Sequence, residues 1–364
     1  MENVKIGLAI DIGTTTVVLH LVNIKTDEKL VTVSGINAQS AYGADVTSRI
    51  MYCAQNGHEK LTALIRKQVL SMMNEACRSA GVKSTDIEKI SIAANTIMQH
   101  IIAGYSPVSM GVAPFTPISL FGKELPAWEG LLVSSNAKIY YTPAISAYVG
   151  GDITAGLLAA GFEDITEPAI FLDIGTNGEI VLKHKGTYYC CATAAGPAFE
   201  GAEIAKGLCG SGLIDMLAVL LDTGVVDSTG RLLGCDKHYL SQEQDVYITA
   251  EDIRKLQLAK AAIAAGIQVL IHFAGITEKD ITLLALAGGF GNNMDLNSAV
   301  RIGLFPKSLL PVAKTYGNTA GEGATIALVS NVHSRLNKIR TQCEYIELST
   351  MTFFNDKFVD EMAF

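Results

Sequence analysis

A chain of 364 residues, 49% of them hydrophobic, can bury a large core and has the length of two domains. Its formal charge of −8 excludes a broad nucleic-acid footprint, which needs a basic surface, and offers no attraction to anionic lipid. No apolar run reaches the ~20 residues of a membrane span. The most apolar long region, 256–274, is interrupted by Lys260, Gln268 and His272. The chain enters an apolar strand by residue 4 without a basic segment and cleavage site ahead of it, so a soluble cytoplasmic protein is expected. The cysteines (Cys53, Cys77, Cys190, Cys191, Cys209, Cys235, Cys343) are odd in number, scattered, and form no C-x-x-C pair. That pattern argues against a disulfide framework, a zinc ribbon or a self-contained iron–sulfur cluster, and the thiols read as packing residues.

In chain order, residues 4–10, 16–23 and 30–35 read as a β-meander. Residues 60–80 carry apolar side chains at helical spacing and stop at Gly81, 87–93 is a strand, and 96–103 a short helix closed by Gly104. The stretch 107–128 holds four prolines and no clear period, so it reads as an ordered excursion packed on something. Residues 138–141 form a strand and 145–160 a helix rich in small residues, with the best domain boundary at 161–168. The second half repeats the plan: strands at 169–173, 180–184 and 187–192, helices at 213–221 and 256–274, a strand at 281–287, a helix at 320–332, then a strand at 344–348 and an amphipathic tail at 353–364.

Two copies of one signature stand out: Ala9-Ile10-Asp11-Ile12-Gly13-Thr14-Thr15-Thr16 and Phe171-Leu172-Asp173-Ile174-Gly175-Thr176-Asn177-Gly178. Each is an apolar strand ending in an aspartate and then a tight turn edged with hydroxyl or amide side chains. Such a turn offers backbone N–H groups and hydroxyls to phosphate oxygens. Asp11 and Asp173 are candidates to anchor a magnesium ion through its waters, since that ion gives up its hydration reluctantly. A lone Asp-x-Gly-Thr is also an ordinary hairpin turn; the repeat is what points to a nucleotide held by two related halves.

Other candidates keep two readings each. Asp152 can activate water or cap the helix that follows it. Gly288, Gly289 and Phe290, in a glycine turn after a buried strand, suit close approach of a nucleoside or a plain strand-to-helix turn. Gly210 and Ser211 open a helix as a nucleotide contact or as a tight-packing point, and Glu200 and Glu203 bond ribose hydroxyls or face solvent. His20 and His100 read as core or surface residues.

The order of these segments resembles the superfamily of acetate and sugar kinases, heat-shock ATPases and actin: two phosphate hairpins, two connecting helices and an adenosine-contacting glycine turn. Longer strings, Ser34-Gly35-Ile36-Asn37-Ala38-Gln39, Tyr42-Gly43-Ala44-Asp45-Val46, Ser146-Ala147-Tyr148-Val149-Gly150-Gly151-Asp152 and Gly210-Ser211-Gly212-Leu213-Ile214-Asp215, look like the C-terminal ASKHA-type ATPase domain of reductive activators of corrinoid proteins. The tail Phe358-Val359-Asp360-Glu361-Met362-Ala363-Phe364 is similar to that domain's ending.

The resemblance implies an α/β fold of two RNase H-like (actin-like ATPase) domains with mixed five-stranded sheets flanked by helices and a nucleotide cleft between them. It implies domains at 1–164 and 165–332, with 333–364 packing back on the first. It further implies a magnesium-dependent ATPase that helps return the cobalamin-type cofactor of a corrinoid methyl-transfer protein to its reduced state, and a homodimer. Family members usually carry an iron–sulfur domain. None is written here, so either the sequence is part of a longer activator or the electron donor acts in trans. The alternatives are a small-molecule kinase of the same superfamily and a nucleotide-gated interaction protein that does not hydrolyse.

Overall fold

The strand Ile6–Ile12 (β1) is apolar at nearly every position and buried along almost its whole length, which requires a neighbour on each edge and cover on both faces. Thr16–Asn23 (β2) and Glu28–Ile36 (β3) follow it as an antiparallel meander. Two helices come next, Val46–Asn56 (α1), opened by an Asp45 capping box, and Glu59–Ala80 (α2), closed by left-handed Gly81. Then come Ile87–Ala94 (β4), Thr96–Ala103 (α3), Lys123–Pro126 (β5), Lys138–Tyr141 (β6) and Gly151–Ala159 (α4). The second half runs Ala169–Ile174 (β7), Gly178–His184 (β8), Thr187–Thr193 (β9), Gly210–Asp222 (α5), Lys237–Ser241 (β10), Val246–Thr249 (β11), Ala250–Ala274 (α6), Leu283–Ala287 (β12), Leu296–Arg301 (α7) and Ala313–Gly317 (β13). Thr319–Val329 (α8), His333–Thr341 (α9), Cys343–Tyr345 (β14) and Thr352–Asp360 (α10) complete it. The structure is a computed structural model that describes residues 5–193, 210–234, 236–241, 243, 246–289 and 294–364.

The chain forms two compact units, Met1–Glu163 with Asn318–Cys343, and Asp164–Gly317 with Glu344–Phe364. In the first the strand order is β3-β2-β1-β4-β6-β5, with β4 parallel to β1 and β6 parallel to β4. In the second it is β13-β12-β7-β8-β9-β14, with β12 parallel to β7 and β13 parallel to β12. The two sheets repeat one plan: an antiparallel meander followed by two parallel strands.

Both sheets are mixed, but each has six strands rather than the five expected. In the first, β5 arises inside the proline-rich excursion and pairs antiparallel with β6. Phe121, just before it, stacks on Tyr141 and meets His100 edge-on, so its aromatic packing carries the segment to the sheet edge. In the second, β14 adds to the far edge of the meander, and the Ile346 N–H donates to the Cys190 carbonyl at 2.8 Å.

The C-terminal third is divided differently from expectation. The helix read at 320–332 is α8, and it belongs to the first unit. Its small residues Ala320 and Ala324 lie against Ala9, Ala93 and Ala155. At Gly323 the contact is backbone to backbone: a Cβ there would fall 2.1 Å from the Ala155 carbonyl oxygen of α4. Gly323→Ala is therefore expected to cost about 3 kcal/mol, read as a lowered urea midpoint with an unchanged slope, because the obstructing atom is main chain and cannot rotate away.

From Glu344 onward the tail belongs to the second unit. The α10 segment lies on α6, where the Gln257 Nε2 donates to the Met362 carbonyl at 2.9 Å and buried Lys260 donates to the Ala363 carbonyl. Among the described residues α6 is the one helix long and apolar enough to cross a membrane, and 78% of its most apolar stretch is buried. Cys190 and Cys191 lie side by side on β9, both buried, and Cys53, Cys77 and Cys343 are likewise free thiols.

Candidate functional site

In the first unit the chain leaves β1 just past half-buried Asp11 and closes a tight turn in which the Gly13 N–H donates to the Thr16 carbonyl at 2.9 Å. Thr14 is buried, Thr15 half-buried and Thr16 exposed at its rim. Polar groups from elements distant in sequence hold this turn. Asn37 Nδ2 donates to the Gly13 carbonyl at 2.9 Å, and the Asn37 N–H to the Thr15 carbonyl at 2.7 Å. Arg49 Nη2 donates to the Thr14 carbonyl at 2.6 Å, and Asn95 Nδ2 to Thr14 Oγ1 at 3.1 Å.

Asn95 is also the cap of α3, its Oδ1 accepting the Met98 N–H at 2.9 Å. The same residue brings Asp152 close. A Cβ on Gly150 would lie 2.4 Å from the Asn95 Cα and 2.7 Å from Asp152 Oδ1. Thr96 Oγ1 fastens the same corner by donating to the Ser146 carbonyl at 2.6 Å. Asp152 thus stands one residue away from the side chain that grips the first turn.

The helix expected at 145–160 begins only at Gly151, and the capping position is Gly150, not Asp152. Residues 145–149 form a turn instead, in which the Ile145 and Ser146 N–H groups donate to the Val149 carbonyl. Asp152 is the second helical residue and accepts the Ile153 N–H at 2.9 Å. It lies in the first turn, where unsatisfied helix N–H groups favour negative charge.

In the second unit Asp173 stands at the matching point of β7, half-buried, and desolvation pushes its carboxyl up to about 6. Beyond it the Gly175 N–H donates to the Asn177 carbonyl at 2.9 Å, Thr176 is buried, and Thr193 Oγ1 donates to the Gly178 carbonyl at 3.0 Å. Directly opposite Asp173 in the β7–β8 register is Glu179, also buried, a second carboxylate on the same sheet face that sequence reasoning missed.

Gly288 packs onto this hairpin with φ +93: a Cβ there would lie 2.5 Å from the Ile174 carbonyl oxygen and 2.6 Å from Asp173 Oδ1. Only a glycine meets both the left-handed backbone and the missing space. Within the second unit the structure thus joins the glycine turn to the acidic hairpin. Gly289 is exposed beyond it. Gly210 and Ser211 are buried at the start of α5. Phe290, Gly291, Glu200 and Glu203 lie outside the described residues.

His20 and His100 are both buried. His100 Nδ1 lies 2.7 Å from the Thr96 carbonyl, and its Nε2 accepts the Ile118 and Ser119 N–H groups, which anchors the excursion to α3. Among the described residues no group of three or more His, Cys, Asp and Glu side chains is gathered to hold a bare metal ion. Asp11 and Asp173, single hard-oxygen groups at strand ends, suit a cation that keeps its water shell. Chemically, each unit sets a tight turn beside an aspartate; the first adds Asp152 and the second Glu179.

Comparison with known proteins divides the chain near residue 165, close to the first break between the units, while 318–343 of the first unit fall within the second match. Residues 6–165 match the family model described as the RACo middle region, and 167–208 and 202–364 match that of the C-terminal domain of RACo, the ASKHA domain. The chain is 30% identical over 417 residues to the corrinoid activation enzyme RamQ of Eubacterium limosum, covering 97% of this chain and 69% of that protein. It is 23% identical to the [Co(II) methylated amine-specific corrinoid protein] reductase of Methanosarcina barkeri, covering 98% of this chain and 77% of that protein. A solved structure of a reductive activator for corrinoid, iron-sulfur protein superposes with a TM-score of 0.92 at 34% identity, over 100% of this chain and 66% of that one. The chain therefore spans about two thirds of the length of RamQ and of that activator.

Proposed function

The chain belongs to the family that joins the RACo middle region to the C-terminal ASKHA domain, and on that premise we propose that it is an ATP-binding and hydrolysing module that drives reductive activation of a corrinoid methyl-transfer protein. The observation that carries the chemistry is the repeated hairpin, an aspartate at a buried strand end followed by a braced turn, found once in each unit. Thr14, Thr15 and Thr16 take phosphate oxygens on one hairpin; Gly175, Thr176, Asn177 and Gly178 take them on the other. Gly288 and Gly289 admit the nucleoside. Asp11 and Asp173 would hold magnesium through its waters, and the ion, when bound, supplies charge neutralisation along the triphosphate. Asp152 orients the attacking water and accepts its proton, a task open to a carboxylate once water is positioned near the terminal phosphate.

ATP turnover changes the fit of the module to its corrinoid partner and so makes an uphill electron delivery possible. The electrons come from an iron–sulfur domain or protein outside these 364 residues. Homodimerisation belongs to the same proposal, with 107–128 and the C-terminal tail as the partner or dimer contacts.

The test is phosphate release from Mg-ATP by the full chain with no acceptor added, with and without a corrinoid protein held in its Co(II) state. Release that rises with the corrinoid protein is expected. Release only when a hydroxyl or carboxylate acceptor is supplied would make the chain a kinase. Binding without any release would leave a nucleotide-gated interaction module.

A further inference from the structure

Consecutive carbonyls of the first turn are gripped from behind by two residues: Gly13 by the Asn37 side-chain amide, Thr14 by the Arg49 guanidinium, and Thr15 by the Asn37 main-chain N–H. A trans peptide is planar, so fixing the direction of a carbonyl fixes the opposite direction of the N–H that follows it. These contacts set the aim of the Thr14, Thr15 and Thr16 amides. Arg49 on α1 has 0% exposure; its Nε reaches the Gly43 carbonyl at 3.0 Å, Nη1 the Gln39 Oε1 at 3.3 Å and the Met98 Sδ at 3.2 Å, and Nη2 the Thr14 carbonyl. Burying a guanidinium is costly unless its donors are used, and packing alone would be met by leucine or methionine. A cation against the Thr14 carbonyl also polarises the Thr14–Thr15 peptide and makes its N–H a stronger donor to an anion.

We propose that Arg49 is a positioning residue for the first phosphate turn: it sets the direction and strength of the turn amides, and through them the affinity for nucleotide phosphate, without touching the nucleotide. This rests on the phosphate-binding reading of the hairpin. The full chain carrying Arg49→Met or Arg49→Lys is compared with wild type by amide hydrogen exchange in the nucleotide-free protein and by calorimetric titration with Mg-ATP. In Arg49→Met, exchange of the peptide spanning 10–18 is expected to accelerate about 10-fold while α2 is unchanged, and the Kd for Mg-ATP to rise about 10- to 100-fold, the size typical of a supporting group behind a ligand. Arg49→Lys, which keeps the charge but offers a single ammonium in place of the fork, is expected to show the same changes at smaller size.

Wild-type exchange at the turn and wild-type affinity in a folded Arg49→Met protein would overturn the proposal. Should that variant not fold, wild-type values of both in Arg49→Lys would overturn it. Faster exchange throughout the first unit, rather than at the turn, would also overturn it and leave Arg49 a structural residue. Absence of Mg-ATP binding by wild type would defeat the phosphate reading itself, while the exchange comparison still decides whether Arg49 sets the turn.

Discussion

Asp173→Asn is expected to lower Mg-ATP hydrolysis by about 100-fold or more while raising thermal stability at pH 7.5, so that activity and stability move in opposite directions. The reason is the cost of keeping this carboxylate ionised. Desolvation pushes it up to about 6, above its ordinary value of 3.8, so the folded protein binds the proton more tightly than the unfolded chain. The stability tied to that proton is fully present below the unfolded-state value and is lost as pH rises through about 6. Above that point the charged group costs the fold on the order of 2–3 kcal/mol, a burden that asparagine does not carry. The melting-temperature gap between variant and wild type should therefore open between pH 4 and pH 6 and stay constant above it. A hydrated cation supplies the missing counter-charge, so magnesium nucleotide should raise the melting temperature of wild type by more than that of the variant. Equal melting curves across the pH series would refute this account of Asp173.

Asp152→Ala is expected to lower the rate of phosphate release by about 100- to 10,000-fold, the range associated with loss of a positioned base, and to leave the Kd for Mg-ATP within a few-fold of wild type. The N-cap of α4 is Gly150, and the corner is fastened by Thr96 and Ser146, so with the carboxylate the helix loses its bond to the Ile153 N–H, whose effect on stability is read separately by the melting temperature. Single-turnover release and equilibrium binding, measured side by side, separate the two effects. A loss of affinity as large as the loss of rate would assign Asp152 to nucleotide binding instead.

The strands that carry the hairpins were legible because burial on both faces writes a continuous apolar run, and a glycine after an aspartate ends it. Thr96–Ala103 was legible as a short helix closed by Gly104, which is left-handed in the structure. The support of the first turn was not. Asn37, Arg49 and Asn95 meet residues 13 and 14 across 24, 35 and 81 positions of chain, and nothing local distinguishes a buried arginine on α1 from a solvated one. Glu179 was lost for another reason: strand β8 starts at Gly178, so a residue read as part of the turn is in fact paired with Asp173. Residues 145–150 misled because small and apolar side chains satisfy a helix pattern, while the Ser146 hydroxyl, accepting the Tyr148 and Val149 N–H groups, makes a turn of the same residues. The edge strand β5 lies among prolines and glycines, where period and propensity are silent and packing of Phe121 decides.

Because α8 lines the alanine-rich face of β1 and β4, the amino-terminal half of the chain is an unfinished object when it leaves the ribosome. Ala9, Ala93 and Ala155 await a helix made from residues 319–329, more than 150 positions downstream of α4. Vectorial synthesis must deliver residues 319–329 before the first unit can close, and a nascent chain released after residue 163 would present a bare apolar wall to its surroundings. Truncation mapping should then find no independently soluble amino-terminal piece, whichever loop is chosen for the cut.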